Sequence, residues 1–406
     1  MYRSDERPEE DREGNRQGYF IRNLRVKFSV KLPPQPPRGL LLKSLNQLCR
    51  IIVPILFAAA TTAYSQSVKI GLLIQDSSNT SAIHGAELAV RMANEKGGLN
   101  GRPFRLVTRT MEGPWGTGSK QAVDLIFNEK VWALLGSHDG RNAHLVEQAA
   151  TKSAVVFVSA WSSDPTLAQA FVPWFFNCVP NDNQQAVALT EEIYYKRKYN
   201  SVAIISDNEY DSKMSVIALL RDIKQKSKDD PLHFQYEDYR NDINGLIKTI
   251  RDRNPECIIL FCNPVISRKI FSKIKEGKTG ITVYGSFYML NEAMLTINEL
   301  QQYDNLLLIP SYIWSGQTAR EFSGKYEDTW GELPGMVASY SFDGMNVLIN
   351  AIRIADVPDR EKIQEALKKN KFTGVTGIIS FDDMGNREGK PFVTQLMNGV
   401  PIPEIK

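Results

Sequence analysis

Short apolar runs alternate with amphipathic stretches along the sequence from Val68 onward. The run VKIGLLI at 68–74 is typical of a buried strand. The following GAELAVRMANEKGG, at 85–98, has the apolar spacing of a helix that two glycines end. Segments of the same two kinds continue through AVVFVSA, which ends at Ala160. Because parallel strands are joined by crossover helices that cover both faces of the sheet, this alternation predicts a parallel α/β sheet.

The alternation stops at FVPWFFNCVPND (171–182) and then starts again. A second series of helix and strand patterns runs to NLLLIP, which ends at Pro310. Three helical stretches, near 317–329, 341–355 and 359–369, and two strand-like segments complete the chain. Because 406 residues suit two domains better than one small core, we predict a second α/β domain of the same type. Loops at the carboxyl ends of both sets of strands are expected to face a cleft between the domains.

The first part of the chain differs from the rest. The apolar run IIVPILFAAATTAY at 51–64 is too short to span a bilayer and ends in a small-x-small pattern at Ser65. We expect residues 40–65 to be a signal peptide cleaved near Ser65, which predicts a periplasmic protein. A short buried helix or a membrane anchor is the alternative. Residues 1–39 are charged and rich in proline, so we expect either a disordered extension or an artefact of a start codon assigned too far upstream.

Composition excludes several classes of function. The net charge is +3, and no basic stripe with interleaved aromatic residues is present, so no nucleic-acid partner is expected. Three cysteines follow the predicted cleavage site, and this odd number favours buried free thiols over a disulfide framework. The four histidines have no spacing typical of metal ligands. We therefore expect neither a metal nor a cofactor.

The segment LLGSHDGRN at 134–142 places Ser137, His138 and Asp139 side by side, the three residue types of a hydrolase triad. Adjacent side chains diverge, so these three cannot form both hydrogen bonds that a triad needs. The serine also stands one place early for the nucleophile elbow Gly-x-Ser-x-Gly. The sequence therefore disfavours catalysis at this segment.

The same segment is predicted to be a loop between a strand and a helix. Asp139 or Asn142 is expected to cap the helix, and Gly140 to supply a positive φ. The free backbone amides of the first helical turn would offer an anion site. Arg141 is positioned to pair with a carboxylate, and Asp139 with a hydroxyl or an amine. A structural role and a ligand contact are therefore compatible here.

Aromatic residues cluster in loops that follow predicted strands. Trp115 lies in EGPWGTG, Trp161 in SAWSSD, and Phe287 and Tyr288 in YGSFY. Ordinary packing is one explanation for each of them. Their shared position favours a second one, the stacking of an apolar or aromatic ligand.

The two ends of this region resemble a known family. VKIGLLI…HGAELAVRMANEKGGLNGRPFRLV and IQEALKKNKFTGVTGIISFDDMGNREGKPFV are similar to the opening and the close of type I periplasmic solute-binding proteins of the leucine/isoleucine/valine-binding family. The resemblance covers 68–400. It implies an α/β fold of two Rossmann-like parallel-sheet lobes, joined by a three-crossover hinge and closing on a solute. Lobe 1 would comprise 68–181 plus 312–376, and lobe 2 would comprise 182–311 plus 377–406.

The resemblance also places ligand contacts in lobe 1. The serine with which amino-acid binders of the family hold the α-carboxylate falls on Gly140, which has no hydroxyl. A second hydroxyl contact falls on Ser163, with Ser162 and Trp161 beside it. Trp161 replaces a small residue and would occupy cleft volume.

In lobe 2, two tyrosine positions of the family fall on Tyr210 and Asn263. The acid that pairs with the α-ammonium group falls on Phe287. A site without the serine and the acid would leave a buried ammonium unpaired, at a cost of several kcal/mol. The resemblance therefore predicts a small organic solute that is not a standard α-amino acid, apolar or aromatic and bearing a carboxylate or an alcohol.

We accordingly expect a non-catalytic, monomeric protein that delivers its solute to the permease subunits of an ABC importer. The alternatives are a sensor or receptor domain of the same fold and, from another class, a cleft hydrolase built on His138 and Ser163. The candidate ligand-binding residues are Trp115, Ser137, His138, Asp139, Gly140, Arg141, Trp161, Ser162, Ser163, Tyr210, Asn263, Phe287 and Tyr288.

Overall fold

The computed structural model describes residues 67–169, 172–240, 242–277, 280–305 and 307–404. The signal peptide predicted at 40–65 and the extension predicted at 1–39 lie outside these residues.

The first sheet consists of short strands that are all parallel. Within the described residues its strands lie in the order β2-β1-β3-β4-β5. They are β1 (Val68–Ile74), β2 (Phe104–Thr110), β3 (Ala133–Ser137), β4 (Phe157–Ser159) and β5 (Phe175–Asn177). β1 pairs with β2 and β3 and is buried along nearly its whole length, as predicted for a strand covered on both faces. β5 adds a fifth strand inside the segment where the sequence pattern predicted an interruption.

The second sheet is mixed rather than wholly parallel. Its parallel strands are β6 (Val202–Ser206), β7 (Leu232–Gln235), β8 (Cys257–Phe261), β9 (Thr282–Gly285) and β10 (Leu307–Ser311). A separate ribbon follows, made of β11 (Phe372–Gly374) and β12 (Gly377–Ile379). The chain then returns to the second sheet as β13 (Phe392–Met397) and β14 (Val400–Pro403), giving the order β14-β13-β10-β9-β8-β6-β7.

The antiparallel edge is where the second lobe departs from the predicted likeness to the first. β13 runs antiparallel to both β10 and β14. Asn398 and Gly399 form the two-residue loop between β13 and β14, with φ values of +53° and +75°. Positive φ at both positions is typical of the tight type I′ hairpin turn.

The helices cover the faces of the two sheets. On the first sheet lie α1 (Thr80–Glu95), α2 (Thr117–Phe127) and α3 (Gly140–Lys152). On the second lie α4 (Asp182–Thr190), which continues as a π-helix, α5 (Tyr210–Gln225), α6 (Ile243–Arg253), α7 (Pro264–Glu276) and the short α8 (Ile297–Leu300). The last three return to the first lobe: α9 (Gly316–Trp330), α10 (Met336–Ala355) and α11 (Arg360–Lys369). None of the described helices is long and apolar enough to cross a bilayer.

The packing of α1 against α10 shows how the sequence determines these contacts. A Cβ added to Gly85 would lie 2.1 Å from the carbonyl oxygen of Ala338, so only glycine permits this approach. Ser341 of α10 donates a hydrogen bond to the carbonyl oxygen of Ala82, at 2.6 Å. Gly97, with φ +90°, lies just beyond the end of α1, as predicted.

The chain passes between the two lobes after β5, after β10 and after β12, and one buried side chain contacts all three crossings. Arg387 is 1% exposed and donates to the carbonyl oxygens of Cys178, Thr376 and Ile378 at 3.0, 2.7 and 3.0 Å. It also donates to the hydroxyl of Thr376 at 2.8 Å. Tyr312 completes the set, with its ring centre 3.8 Å from the guanidinium carbon. The hinge therefore has a common polar anchor.

Candidate ligand-binding site

A cavity of about 290 Å³ lies where the carboxyl ends of strands from the two sheets face each other. From lobe 1 it is lined by the loops after β1, β3 and β4: Gln75, Asp76, Ser78, Asn79, Ser137, His138, Asp139, Arg141 and Trp161. From lobe 2 it is lined by the loops after β6 and β9: Glu209, Tyr210, Asp211, Tyr288, Asn291, Ala293 and Met294. This is the position expected for a ligand site in parallel α/β sheets. Seven of the predicted residues thus come together on its wall.

A second, outer cavity of about 670 Å³ adjoins the first along lobe 1. The two share Gln75, Asp76, Asp139 and Arg141 among their lining residues. The outer cavity extends to the loop that carries Trp115, whose side chain is 74% exposed. Trp115 therefore belongs to the entrance and does not line the inner cavity.

The loop after β3 is organised by its helix cap. The carboxylate of Asp139 accepts a hydrogen bond from the backbone N–H of Asn142 at 2.7 Å, so the predicted cap at the start of α3 is confirmed. The backbone N–H of Asp139 donates to the side-chain oxygen of Gln75 at 3.3 Å, which connects this loop to the end of β1. The side-chain amide of Asn142 donates to the second carboxylate oxygen at 3.1 Å, and Asp139 and Arg141 both line the cavity.

The prediction that Gly140 supplies a positive φ is wrong. Gly140 is the first residue of α3 and is absent from the residues with positive φ. Its lack of a side chain matters for another reason: a Cβ would lie 2.8 Å from Asp211 Oδ1, 3.0 Å from Asp164 Cβ and 3.1 Å from Tyr210 Cε1. Glycine therefore allows lobe 2 to approach the start of α3.

That approach brings a carboxylate of the protein itself onto the end of the helix. The N–H of Gly140 donates to Asp211 Oδ1 at 3.0 Å. Burial, together with the charge of Asp139, raises the pKa of Asp211 to about 7. The anion site predicted at the start of α3 is thus occupied by Asp211 from the opposite lobe.

A second hydrogen bond joins the lobes beside the first. The hydroxyl of Tyr210 donates to Asp164 Oδ2 at 2.7 Å. His144 Nε2 lies 2.9 Å from the same oxygen, and Thr166 donates twice to the other one. Burial by itself raises the pKa of Asp164, but the hydrogen bonds from His144, Thr166 and Tyr210 lower it by more. The hydrogen bond to Asp164 in turn raises the pKa of His144, which favours the imidazolium form beside the carboxylate.

His138 lines the cavity but faces inward. Its ring stacks on Phe157, with ring centres 6.0 Å apart, and Nδ1 lies 3.2 Å from the carbonyl oxygen of Asp139. Burial lowers the pKa of His138, which favours the neutral ring. Nε2 has no hydrogen-bond partner among the described residues, so His138 and Ser163 do not form the base–nucleophile pair of the hydrolase alternative.

Aromatic side chains from both lobes meet at the inner end of the cavity. The ring of Trp161 contacts Phe287 edge to face, with centres 4.9 Å apart, and Tyr288 at 6.4 Å. Phe287 is fully buried behind Trp161, and its N–H donates to Gln185 Oε1 at 3.1 Å. Trp161 and Tyr288 therefore form the cavity wall, and Phe287 supports it.

Four further predicted residues do not line the cavity. Ser162 and Ser163 are buried. The hydroxyl of Ser162 accepts from the Asp164 N–H at 3.4 Å, and the carbonyl of Ser163 accepts from the Asp182 N–H at 2.8 Å. Asn263 caps α7 and donates to Glu209 Oε1 at 2.9 Å, so it orients a wall residue. Gly140, the fourth, holds Asp211 as described above.

Sequence reasoning missed several wall residues. Gln75 and Asp76 directly follow β1, and their place after a buried strand was a usable signal. Glu209 and Asp211 flank the predicted Tyr210, but their contact with the cavity depends on how the lobes face each other. Among the described residues, no group of three or more His, Cys, Asp or Glu side chains is arranged to hold a metal ion.

Comparison with known proteins agrees with this architecture. The family model described as Periplasmic binding protein matches residues 67–397. The branched-chain amino acid transporter substrate binding protein LivJ of Streptococcus pneumoniae, solved with isoleucine, is 19% identical and has a TM-score of 0.69. That match covers 83% of this chain and 98% of the other. An ABC transporter solute binding protein of R. palustris, solved with benzoate, is 15% identical, has a TM-score of 0.68, and is matched over 83% of this chain and 95% of its own.

A likeness over a smaller part of the chain is to Glutamate receptor 2.7 of Arabidopsis thaliana. It is 22% identical over 265 residues, which are 59% of this chain and 26% of the receptor. The chain thus spans about a quarter of the length of the curated relatives that it matches. Because the family model covers most of the sequence and the solved relatives match the chain across both α/β lobes, this chain belongs to the periplasmic binding protein family and has its type I fold.

Proposed function

We propose that this chain is an exported solute-binding protein that captures a small organic solute between its lobes and delivers it to the permease subunits of an ABC importer. The observation that carries the proposal is the cavity formed by loops from both sheets, closed by direct hydrogen bonds between the lobes. The proposal includes a periplasmic, monomeric protein, with lobe 1 at 68–181 plus 312–376 and lobe 2 at 182–311 plus 377–406.

The proposed solute is not a standard α-amino acid. The amide of Gly140, which starts the helix that would hold an α-carboxylate, already donates to Asp211. Phe287, at the position of the ammonium-pairing acid, is buried and apolar. A solved relative bound to benzoate supports the view that this fold accommodates solutes without an α-ammonium group.

A sensor or receptor role is the second candidate, favoured by the likeness to plant glutamate receptors. The same capture of a solute would then signal to a membrane partner rather than supply an importer. The two roles differ in whether solute crosses the membrane.

The test begins with the protein as purified from the periplasm of an expressing strain. Native mass spectrometry, followed by release under denaturing conditions, identifies any solute that co-purifies. Calorimetry with that solute, and with leucine and isoleucine, gives the affinities, and uptake of labelled solute with and without the gene tests transport. Tight binding of leucine or isoleucine would overturn the proposed solute class. Binding without any effect on uptake would favour the sensor.

A further inference from the structure

The inner cavity carries a strongly unbalanced charge. Its lining includes the carboxylates of Asp76, Asp139, Glu209 and Asp211 and only one cationic side chain, Arg141. The guanidinium of Arg141 lies 5.7 Å from the centre of the Tyr210 ring, on the exposed side of the cavity. The wall therefore presents a negative surface to a bound molecule.

The cavity carboxylates raise the pKa of other acidic groups in the lining, including a tyrosine hydroxyl of the aromatic wall. The charges of Asp139 and Glu209 each help to raise the pKa of Asp211, after burial, which is the largest cause. Burial raises the pKa of the Tyr288 hydroxyl well above its usual value, and Asp211, Glu209 and Asp139 raise it further. A negative potential therefore extends across the cavity from one lobe to the other.

Aromatic rings complete the lining. Trp161, Tyr210 and Tyr288 come from three different loops and from both lobes. A cation over the face of such rings is attracted by their quadrupole, and aromatic cages with nearby carboxylates suit ammonium groups. The same carboxylates would repel an anionic solute.

Besides His138 Nε2, which faces inward, two polar atoms of wall residues have no partner among the described residues. Ser137 and Trp161 are 0% and 3% exposed, both line the cavity, and Ser137 Oγ and Trp161 Nε1 make no hydrogen bond. Buried donors are normally satisfied, so a bound molecule with a neutral acceptor oxygen would supply the missing partner. Ser137 Oγ and Trp161 Nε1 would thus add neutral hydrogen bonds to the electrostatic attraction of the carboxylates.

We propose that the solute is a small organic cation, an amine or quaternary ammonium compound that bears a hydroxyl or carbonyl oxygen and no carboxylate. This inference rests on the proposed function and names the solute class of the same cavity. It replaces the carboxylate-bearing solute that the sequence suggested, because one exposed arginine faces four carboxylates.

The test uses matched pairs of probes in calorimetry at low salt and pH 8. Choline is paired with its neutral isostere 3,3-dimethylbutan-1-ol, and tyramine with 4-(2-hydroxyethyl)phenol, while benzoate and leucine represent the anionic and zwitterionic classes. We expect at least one cation to bind about tenfold or more tightly than its neutral partner. Equal affinity within both pairs, or binding of benzoate alone, overturns the inference and leaves the proposed function standing. Binding of leucine alone overturns the inference together with the proposed solute class and leaves the solute-binding role standing.

Two charge-neutralising variants test whether a carboxylate of the cavity contacts the bound cation. Glu209 is exposed, so Glu209→Gln is expected to fold normally and to weaken the cation by about fivefold, the size of an exposed charge pair. Glu87→Gln, the same change on an exposed face of α1 outside the cavity, is expected to leave the affinity unchanged. Equal effects of the two variants would contradict a direct contact.

Proton release provides an independent readout. A bound cation favours the ionised form of Asp211, so binding near pH 7 should release protons, measured in buffers of different ionisation enthalpy. Uptake of protons on binding would contradict the inference. If no probe binds, native mass spectrometry decides: a neutral or anionic co-purified solute overturns the inference alone, and no solute at all overturns the proposed function as well.

Discussion

The guanidinium carbon of Arg387 lies 3.8 Å from the centre of the Tyr312 ring, and the same guanidinium bonds to the backbone of the two other crossings between the lobes. The three crossings between the lobes thus share one buried guanidinium. Because a planar guanidinium can stack on a ring while its N–H groups fork to carbonyl oxygens, lysine could not replace it.

Replacing Arg387 should destabilise the whole fold. Arg387→Met leaves the buried carbonyl oxygens of Cys178 and Thr376, and the partly buried one of Ile378, without their donor, so we expect the free energy of unfolding to fall by about 3 kcal/mol or more. Urea denaturation measures it. Arg320→Met, on an exposed face of α9, is the matched control and should change stability by no more than about 0.5 kcal/mol. A loss below about 1 kcal/mol for Arg387→Met would contradict the anchoring role.

Removing one hydroxyl should loosen the closed arrangement of the lobes. Tyr210→Phe deletes the hydrogen bond to Asp164 while His144 and Thr166 keep that carboxylate satisfied, so the cost should be about 1 kcal/mol. We expect small-angle X-ray scattering to show a larger radius of gyration without added solute. Tyr195→Phe removes an exposed hydroxyl and should leave the scattering unchanged. Identical curves for both variants would count against the interlobe bond.

Stability should depend on pH through Asp211. Its pKa is about 7 in the folded protein against 3.8 as the ordinary value, so between these values the folded state holds a proton that the unfolded state releases. The free energy of unfolding should therefore fall as pH rises through this window, by at most about 1.4 kcal/mol per pH unit for this group, and level off above it. Urea titrations from pH 5 to 8 should give a smaller slope for Asp211→Asn than for the wild type.

Other groups shape the same profile, so the difference between variant and wild type is the informative quantity. Burial also raises the pKa of Glu292 to about 7, which adds a slope of the same sign. Burial lowers the pKa of His138, which adds the opposite slope at acid pH. Parallel profiles for Asp211→Asn and the wild type would contradict the assignment.

Restoring the family's serine should not restore amino-acid binding. In Gly140→Ser the new Cβ would meet Asp211 and Tyr210 at 2.8 and 3.1 Å, so we expect a more open protein with no calorimetric response to leucine. Gly324→Ser is the control, because no atom lies within 4 Å of a Cβ added there. Leucine binding by Gly140→Ser would show that the missing hydroxyl alone sets the specificity.

The fold was largely predictable because hydrophobic periodicity reports burial directly. β1 is an apolar run broken only by Lys69, and it is buried along nearly its whole length. β5 was missed because its three residues lie among prolines and aromatic residues without a period of their own. The antiparallel edge was missed although Asn398-Gly399 carried the turn signal, since the surrounding rhythm favoured parallel strands.

The site was predictable only as far as chain position fixes it. Asp139 and Arg141 follow β3 and reach the cavity as expected. Ser163 and Asn263 follow strands as well, yet they do not line the cavity, because position after a strand does not determine side-chain direction. The contact of Asp211 with Gly140 could not be predicted, because it depends on how the two lobes face each other.

The bond between Gly140 and Asp211 has a consequence for selectivity. A carboxylate tethered to the same chain competes at an effective concentration of about millimolar or more, which a dilute free carboxylate cannot match. The protein therefore carries a resident competitor against acidic solutes, whose strength depends on how rigidly lobe 2 is held. A change in the hinge, far from the cavity, would then alter which solutes are excluded without touching any residue that contacts them.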